Sequence, residues 1–172
     1  MMRTFTVVPY SDSWPHEYER VRSELLAAID MERVQCEHIG STAVPGLAAK
    51  PVLDVLLGVD MLSAIEARVP DLEGIGYTYR STYESELPMR RYFVCALPGR
   101  LRVHVHAVVE GSEFWHKQLA FRDLLRNQPE WRSRYQSLKR ELASTYAHDK
   151  SAYTVAKGPF IEAALAEFAK ER

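Results

Sequence analysis

From Glu37 to Asp54 the chain reads Glu-His-Ile-Gly-Ser-Thr-Ala-Val-Pro-Gly-Leu-Ala-Ala-Lys-Pro-Val-Leu-Asp. Gly40-Ser41 leaves a strand, and glycine lets backbone N–H groups come close to an anion. The Ser41 hydroxyl adds a donor, and Lys50 can set a point charge on the same phosphate. Asp54 follows inside the apolar run Pro51-Val-Leu-Asp-Val-Leu-Leu-Gly-Val59. An unpaired carboxylate there costs several kcal/mol, so Asp54 needs a cation, a metal or strong donors. The plainer alternative is an ion pair with Lys50 or a loop cap; for Gly40-Ser41 alone it is an ordinary turn. The combination at this spacing points to one site built around residues 38–54.

A second group lies in Leu101–Val109, where strand alternation puts Leu101, Val103, Val105 and Ala107 on one face and Arg102, His104 and His106 on the other. Between Glu113 and Arg140 there are seven Lys/Arg against three Asp/Glu. Arg90 and Arg91 precede the histidines on a neighbouring strand, and alternation sends one of them toward the site; Arg91 is the expected one.

These side chains need elements to hold them. Thr4 to Val8 reads as a strand. Trp14, Tyr18, Val21 and Leu25 recur at helical spacing and predict a helix over 14–29, with Ser13 as N-cap and Pro15 in the first turn. Val34–Ile39 is a predicted strand, and Pro51–Val59, apolar on both faces apart from Asp54, reads as a central covered one. A short helix over 61–68 is followed by strands at Tyr77–Arg80, Arg90–Leu97 and Leu101–Val109, the last two a hairpin across Pro98-Gly99-Arg100. From Glu113 the period becomes helical: Phe114, Gln118, Phe121 and Leu125, then Trp131, Tyr135, Leu138 and Leu142 behind an Asn127/Glu130 capping box. Gly158-Pro159 marks the start of, or a kink in, a last helix. The expected class is α+β: a mixed sheet flanked by helices, ending in a helical third that packs on the same core.

The bulk properties bound the function. A chain of 172 residues, 47% hydrophobic and 26% charged, fits one globular domain. A net charge of -1 disfavours a general nucleic-acid binder, which carries a basic excess. Cys36 and Cys95 are isolated and read as small core residues in a reducing compartment. The first residues, MMRTFTVVPY, lack a signal peptide's apolar region, and no apolar run is long enough to span a membrane. The cytoplasm is the expected location. Trp14, Trp115 and Trp131 read as core, Arg126, Arg132 and Arg134 as solvated helix faces, and His16, His116 and His148 as surface residues.

The motif resembles the signature of the GrpB family, bacterial proteins of the nucleotidyltransferase superfamily that includes DNA polymerase beta-like enzymes. The likeness runs nearly full length: Val8-Pro-Tyr, Trp14-Pro, His38-Ile-Gly-Ser-Thr-Ala-Val-Pro-Gly-Leu-Ala-Ala-Lys50-Pro, Val103-His-Val-His106, Phe121-Arg-Asp123, Tyr153, Lys157 and Phe160-Ile161. It implies a nucleotidyltransferase-like sheet in which Gly40 and Ser41 hold nucleotide phosphates. Asp54 and a second carboxylate two residues on would hold magnesium. That second position is Leu56, which cannot ligate a metal. The resemblance offers His106 or His104 in place of a third carboxylate from a later strand, as metal ligand or base, His106 preferred. His38 would bind substrate or orient the loop, or be a hydrogen-bonded strand histidine. Arg122, Lys139 and Lys157, in or near family-like stretches, would meet phosphate with Lys50 and Arg91.

Two functions follow. One is a divergent nucleotidyltransferase moving a nucleotidyl or phosphoryl group with a divalent metal, magnesium first, using Asp54 and His106. The other is a nucleotide-binding or protein-interaction module without turnover, assisting a dephospho-coenzyme A kinase, to which relatives are fused. Either way the partner is a nucleotide or other phosphorylated small molecule.

Overall fold

A computed structural model describes residues 6–171 of the chain. Helix α1 (Trp14–Ile29) leads to strand β1 (Val34–Ile39), a 3-10 turn at Ser41–Ala43 and strand β2 (Val52–Val59). Short helices α2 (Leu62–Glu66) and α3 (Val69–Gly74) precede β3 (Tyr77–Tyr79), β4 (Arg90–Cys95) and β5 (Arg102–Val109). Four helices follow: α4 (Glu113–Asn127), α5 (Pro129–Thr145), α6 (Lys150–Ala156) and α7 (Gly158–Lys170). The strands form one sheet in the order β1-β2-β5-β4-β3. β2 and β5 run parallel and every other pair is antiparallel, so the sheet is mixed as expected.

Pairing register decides which side chains share a face, because laterally paired residues project to the same side. Ile39 pairs with Asp54 and Asp54 with His104; Leu56 pairs with His106 and His106 with Tyr92. The opposite face carries Leu53, Val55, Leu57, Val103, Val105 and Phe93, sealed by the Trp14, Tyr18, Val21, Leu25 and Ile29 stripe of α1. On the Asp54 face, Ile39, Leu56, Val108 and Trp115 form a smaller apolar cluster. Gly58 makes room for Trp115: a Cβ there would lie 2.6 Å from the indole ring.

The helical third does not join the main core. Its Leu124, Leu125, Tyr135 and Ala164 close instead on Val44 and Leu47 of the loop between β1 and β2. That loop is thus a hydrophobic anchor for the C-terminal helices.

Several local expectations are corrected. Ser13 has αR backbone angles and makes no capping bond through its side chain. Asn127 is the last residue of α4, and Gln128 precedes α5 without a side-chain cap, so there is no capping box. The helix expected over 61–68 is two shorter ones, the second opened by Pro70 in its first turn. Of the expected strand Thr4–Val8, Thr4 and Phe5 lie outside the described residues, and Val8 makes one isolated bridge to Ala49. Among the described residues no helix is long and apolar enough to cross a membrane.

Candidate functional site

Asp54 sits on β2, an interior strand next to the edge strand β1, beside the turn that ends β1. Gly40 takes φ +74°, a left-handed backbone that glycine tolerates, and a Cβ on it would lie 2.6 Å from Asp54 Oδ2. Ser41 then opens the 3-10 turn, and buried Thr42 ties it down by donating to the Val52 carbonyl at 3.0 Å.

Two histidines of β5 face the carboxylate. His106 Nε2 lies 3.1 Å from Asp54 Oδ1, and His104 Nδ1 lies 3.7 Å from the same oxygen. Arginines stand behind both rings: Arg90 Nη1 is 3.1 Å from His106 Nδ1, and Arg102 Nε donates to His104 Nε2 at 2.9 Å. Tyr92 packs against both imidazoles, with centroids 5.7 Å from His104 and 5.2 Å from His106. Burial works to raise the Asp54 pKa, but the His106 hydrogen bond and the electrostatic pull of His106, His104 and Lys157 outweigh it and hold it low. Burial, partly offset by Asp54, lowers the His104 pKa to about 4.

The C-terminal helices bring lysines over this face. Lys139, 3% exposed, donates to Ser41 Oγ at 2.9 Å and to the Ala48 carbonyl at 2.6 Å. Two more ammonium groups lie over the ring of Tyr153 in α6, Lys50 at 4.0 Å and Lys157 at 4.7 Å from its centroid. Burial and the positive charges of Lys157 and Lys50 push the Lys139 pKa down to about 7. Burial, Lys157 and Lys150 push Lys50 to about 8. Lys157 and Lys150 are also lowered, chiefly by burial and against the pull of Asp54. The result is a cluster of cations around one carboxylate and one hydroxyl.

The structure thus brings together Gly40, Ser41, Lys50, Asp54, His104, His106, Lys139 and Lys157. Three expected residues lie elsewhere. Arg91 projects to the opposite face, toward Glu66 at 2.7 Å, and Arg90 is the arginine that reaches the site. The choice between them turned on which face Phe93 occupies; Phe93 is fully buried in the main core, and Arg91 shares its side. His38 alternates away from Asp54. It stacks on Tyr18 at 4.6 Å, and Nε2 lies 3.0 Å from Thr42 Oγ1, which makes it a strand histidine that secures the turn. Burial, with Arg126 and Arg122 nearby, lowers its pKa to about 4. Arg122 donates to Glu37 at 2.6 Å and to the His38 carbonyl at 3.2 Å. With Arg126, expected in solvent but donating to the Ala43 carbonyl, it lines a separate cavity of about 660 Å3 at the outer edge of β1.

Arg90, Arg102, Lys150 and Tyr92 are the residues that the sequence reading passed over. For Arg102 the signal was present, since alternation already placed it with His104 and His106. Lys150 is the first residue of α6, behind the Asp149 cap that accepts from Ala152 N–H.

The expected metal set does not match this geometry. Leu56 is fully buried where a second carboxylate would stand, and both histidines are hydrogen-bonded from behind by arginines. Among the described residues, no group of three or more His, Cys, Asp and Glu side chains is arranged to hold a metal ion.

A mixed sheet with Gly-Ser at the end of one strand, a carboxylate on the next and helices over that face defines a nucleotidyltransferase-fold protein. The structure of terminal uridylyl transferase 4 from Trypanosoma brucei with bound dUTP matches with a TM-score of 0.56 over 95% of this chain and 55% of that one. At 14% identity the likeness is one of fold alone. The model of the GrpB protein family matches residues 4–167, and the chain belongs to that family. The crystal structure of conserved protein GrpB from Enterococcus faecalis is 32% identical, with a TM-score of 0.85 over 96% of this chain and 98% of that one. A UPF0157 protein of Pseudomonas aeruginosa is 35% identical across 88% of this chain, which spans 62% of that protein's length. A dephospho-CoA kinase of Mycolicibacterium paratuberculosis is 29% identical, the match covering 90% of this chain and 43% of the kinase.

Proposed function

We propose that the chain binds a phosphorylated small molecule, a nucleotide first, in the cleft between the Gly40-Ser41 turn, Asp54 and the C-terminal helices. One observation carries this reading: Lys139 on Ser41 Oγ, with Lys50 and Lys157 over the Tyr153 ring, all with lowered pKa values. Burying ammonium groups close together is unfavourable, and a bound polyanion relieves it with charge-assisted hydrogen bonds. A metabolite ligand of this kind fits a cytoplasmic setting.

Calorimetric titration with the four ribonucleoside triphosphates, dephospho-coenzyme A and pyrophosphate tests the reading. Wild type should bind at least one of them, and Lys157→Met should bind it more weakly. Absence of binding to every one of these phosphates in wild type would retire the proposal.

A group-transfer reading is favoured by the chain Arg90–His106–Asp54, which keeps an ionised carboxylate beside the cleft. An acceptor hydroxyl losing its proton to Asp54 would attack the ligand's phosphorus, form a new P–O bond and expel pyrophosphate or the nucleoside diphosphate. Release of that leaving group in the presence of cell metabolites would separate transfer from binding alone. In the binding reading, the match to a dephospho-CoA kinase makes a coenzyme A precursor the natural ligand to try.

A further inference from the structure

The nucleotidyltransferase fold implies a divalent ion held between carboxylates and the nucleotide's phosphates. The groups around Asp54 have the opposite hydrogen-bond polarity. Arg90 Nη1 faces His106 Nδ1 at 3.1 Å, and Arg102 Nε faces His104 Nε2 at 2.9 Å. A guanidinium has donors and no acceptor, so the ring nitrogen it faces is the bare one. The proton of each neutral ring therefore sits on the other nitrogen. Those are His106 Nε2 and His104 Nδ1, the two atoms turned toward Asp54 Oδ1 at 3.1 and 3.7 Å.

An ion placed between Asp54 and the histidines would meet N–H hydrogens where it needs lone pairs. Swapping the tautomers would set N–H against N–H at both arginines. Histidines that ligate metals have the reverse arrangement, with the outer nitrogen donating to a carboxylate, carbonyl or water. The second oxygen of Asp54, Oδ2, lies on the Gly40 side, where a Cβ would come within 2.6 Å of it, and no second carboxylate stands beside it at Leu56. Leu56, at the position of the missing carboxylate, is sealed among Ile39, Val108 and Trp115.

Resting on the phosphate-binding reading above, we propose that this site takes its ligand as the metal-free anion, a polyphosphate or phosphate ester neutralised by lysines. Lys50, Lys139 and Lys157 supply the charge that magnesium supplies where paired carboxylates hold it. Asp54 is a fixed counter-charge that orients the two imidazole N–H groups.

The test is calorimetric titration with ATP and with tripolyphosphate, in EDTA and in excess magnesium, for wild type and Asp54→Asn. The variant keeps an oxygen for His106 and removes the negative charge. Wild type should bind in EDTA at least as tightly as in magnesium, and Asp54→Asn should bind more tightly than wild type in EDTA. Binding that needs magnesium, or that magnesium tightens by about tenfold, overturns the inference while the phosphate-binding reading stands; so does unchanged or weaker binding by Asp54→Asn in EDTA. No binding of either probe in either buffer removes the reading and the inference together. Two-bond proton–nitrogen NMR of wild type gives a check free of ligand: a His106 Nε2–H and a His104 Nδ1–H tautomer, both unmoved by magnesium, are expected. The opposite tautomers overturn the proposal.

Discussion

Gly40 and Asp54 fit together with no space for a side chain between them. A Cβ on Gly40 would lie 2.6 Å from Asp54 Oδ2 and 3.1 Å from the Asp54 Cβ. The fit follows from the antiparallel register of β1 and β2, which pairs Ile39 with Asp54 and turns the chain at the next residue. The turn and the carboxylate are therefore one structural unit, and a side chain at residue 40 would have to displace Asp54.

Gly40→Ala should destabilise the fold by about 1–3 kcal/mol, from strain at φ +74° and from the clash with Asp54. Denaturant unfolding measures the loss, and phosphate binding should weaken with it. A variant as stable as wild type would show that the turn can relax away from the carboxylate.

Lys139 and Lys50 make stability depend on pH above neutrality. Their folded pKa values, about 7 and about 8, lie below the ordinary 10.5. Between these limits the unfolded chain holds more protons than the folded one, so stability rises with pH. Tyr18, Tyr77 and Tyr135 have raised pKa values, and the stability they lend is lost only as pH climbs above 10.0. Cys36 and Cys95, raised chiefly by burial, oppose the lysines above pH 9.0, so the unfolding midpoint in urea should increase from pH 7 toward pH 9, and Lys139→Met should flatten the rise. An equal slope in wild type and variant would mean that Lys139 titrates as a free lysine.

Arg90 and Arg91 are neighbours in sequence and on opposite faces. Arg90→Met removes the donor behind His106 Nδ1 and should weaken phosphate binding and shift the His106 ring resonances. Arg91→Met breaks an ion pair with half-exposed Glu66 and should change stability by no more than about 1 kcal/mol, with binding intact. Equal loss of binding in both variants would contradict the assigned faces.

Leu56→Asp writes the missing carboxylate back into the chain. Leu56 is fully buried with Ile39, Val108 and Trp115, so a charge there should cost about 3–5 kcal/mol. Thermal unfolding with and without magnesium should show a large loss that the metal does not restore. Recovery of stability on adding magnesium would instead reveal a metal site one substitution away.

The mixed sheet and the helical third were legible because apolar residues recur with the period of the element that holds them; the strand read as central, β2, is interior, and β5 takes the middle of the sheet. Trp14, Tyr18, Val21 and Leu25 announced α1, and the alternation through Leu101–Val109 put His104 and His106 on one face. Local boundaries were less legible. Ser13 and the Asn127/Glu130 pair have the right side chains for caps, but capping depends on backbone angles that residue type only biases. At Arg90 and Arg91 alternation allowed either choice until the depth of Phe93 fixed it.

Spacing along a chain is enough to set period and turn chemistry, so the family, most elements and the motif from His38 to Asp54 could be read from the residues alone. What those residues do to one another is set in three dimensions. Strand register put Asp54 against Gly40 and opposite His104. Chain reversal through α5 and α6 carried Lys139 to Ser41 and Tyr153 to Lys50, partners far away in sequence. The tautomers of His104 and His106 depend on which side the arginines approach from. Hydrogen-bond polarity and burial are properties of neighbours in space, and a linear reading does not contain them.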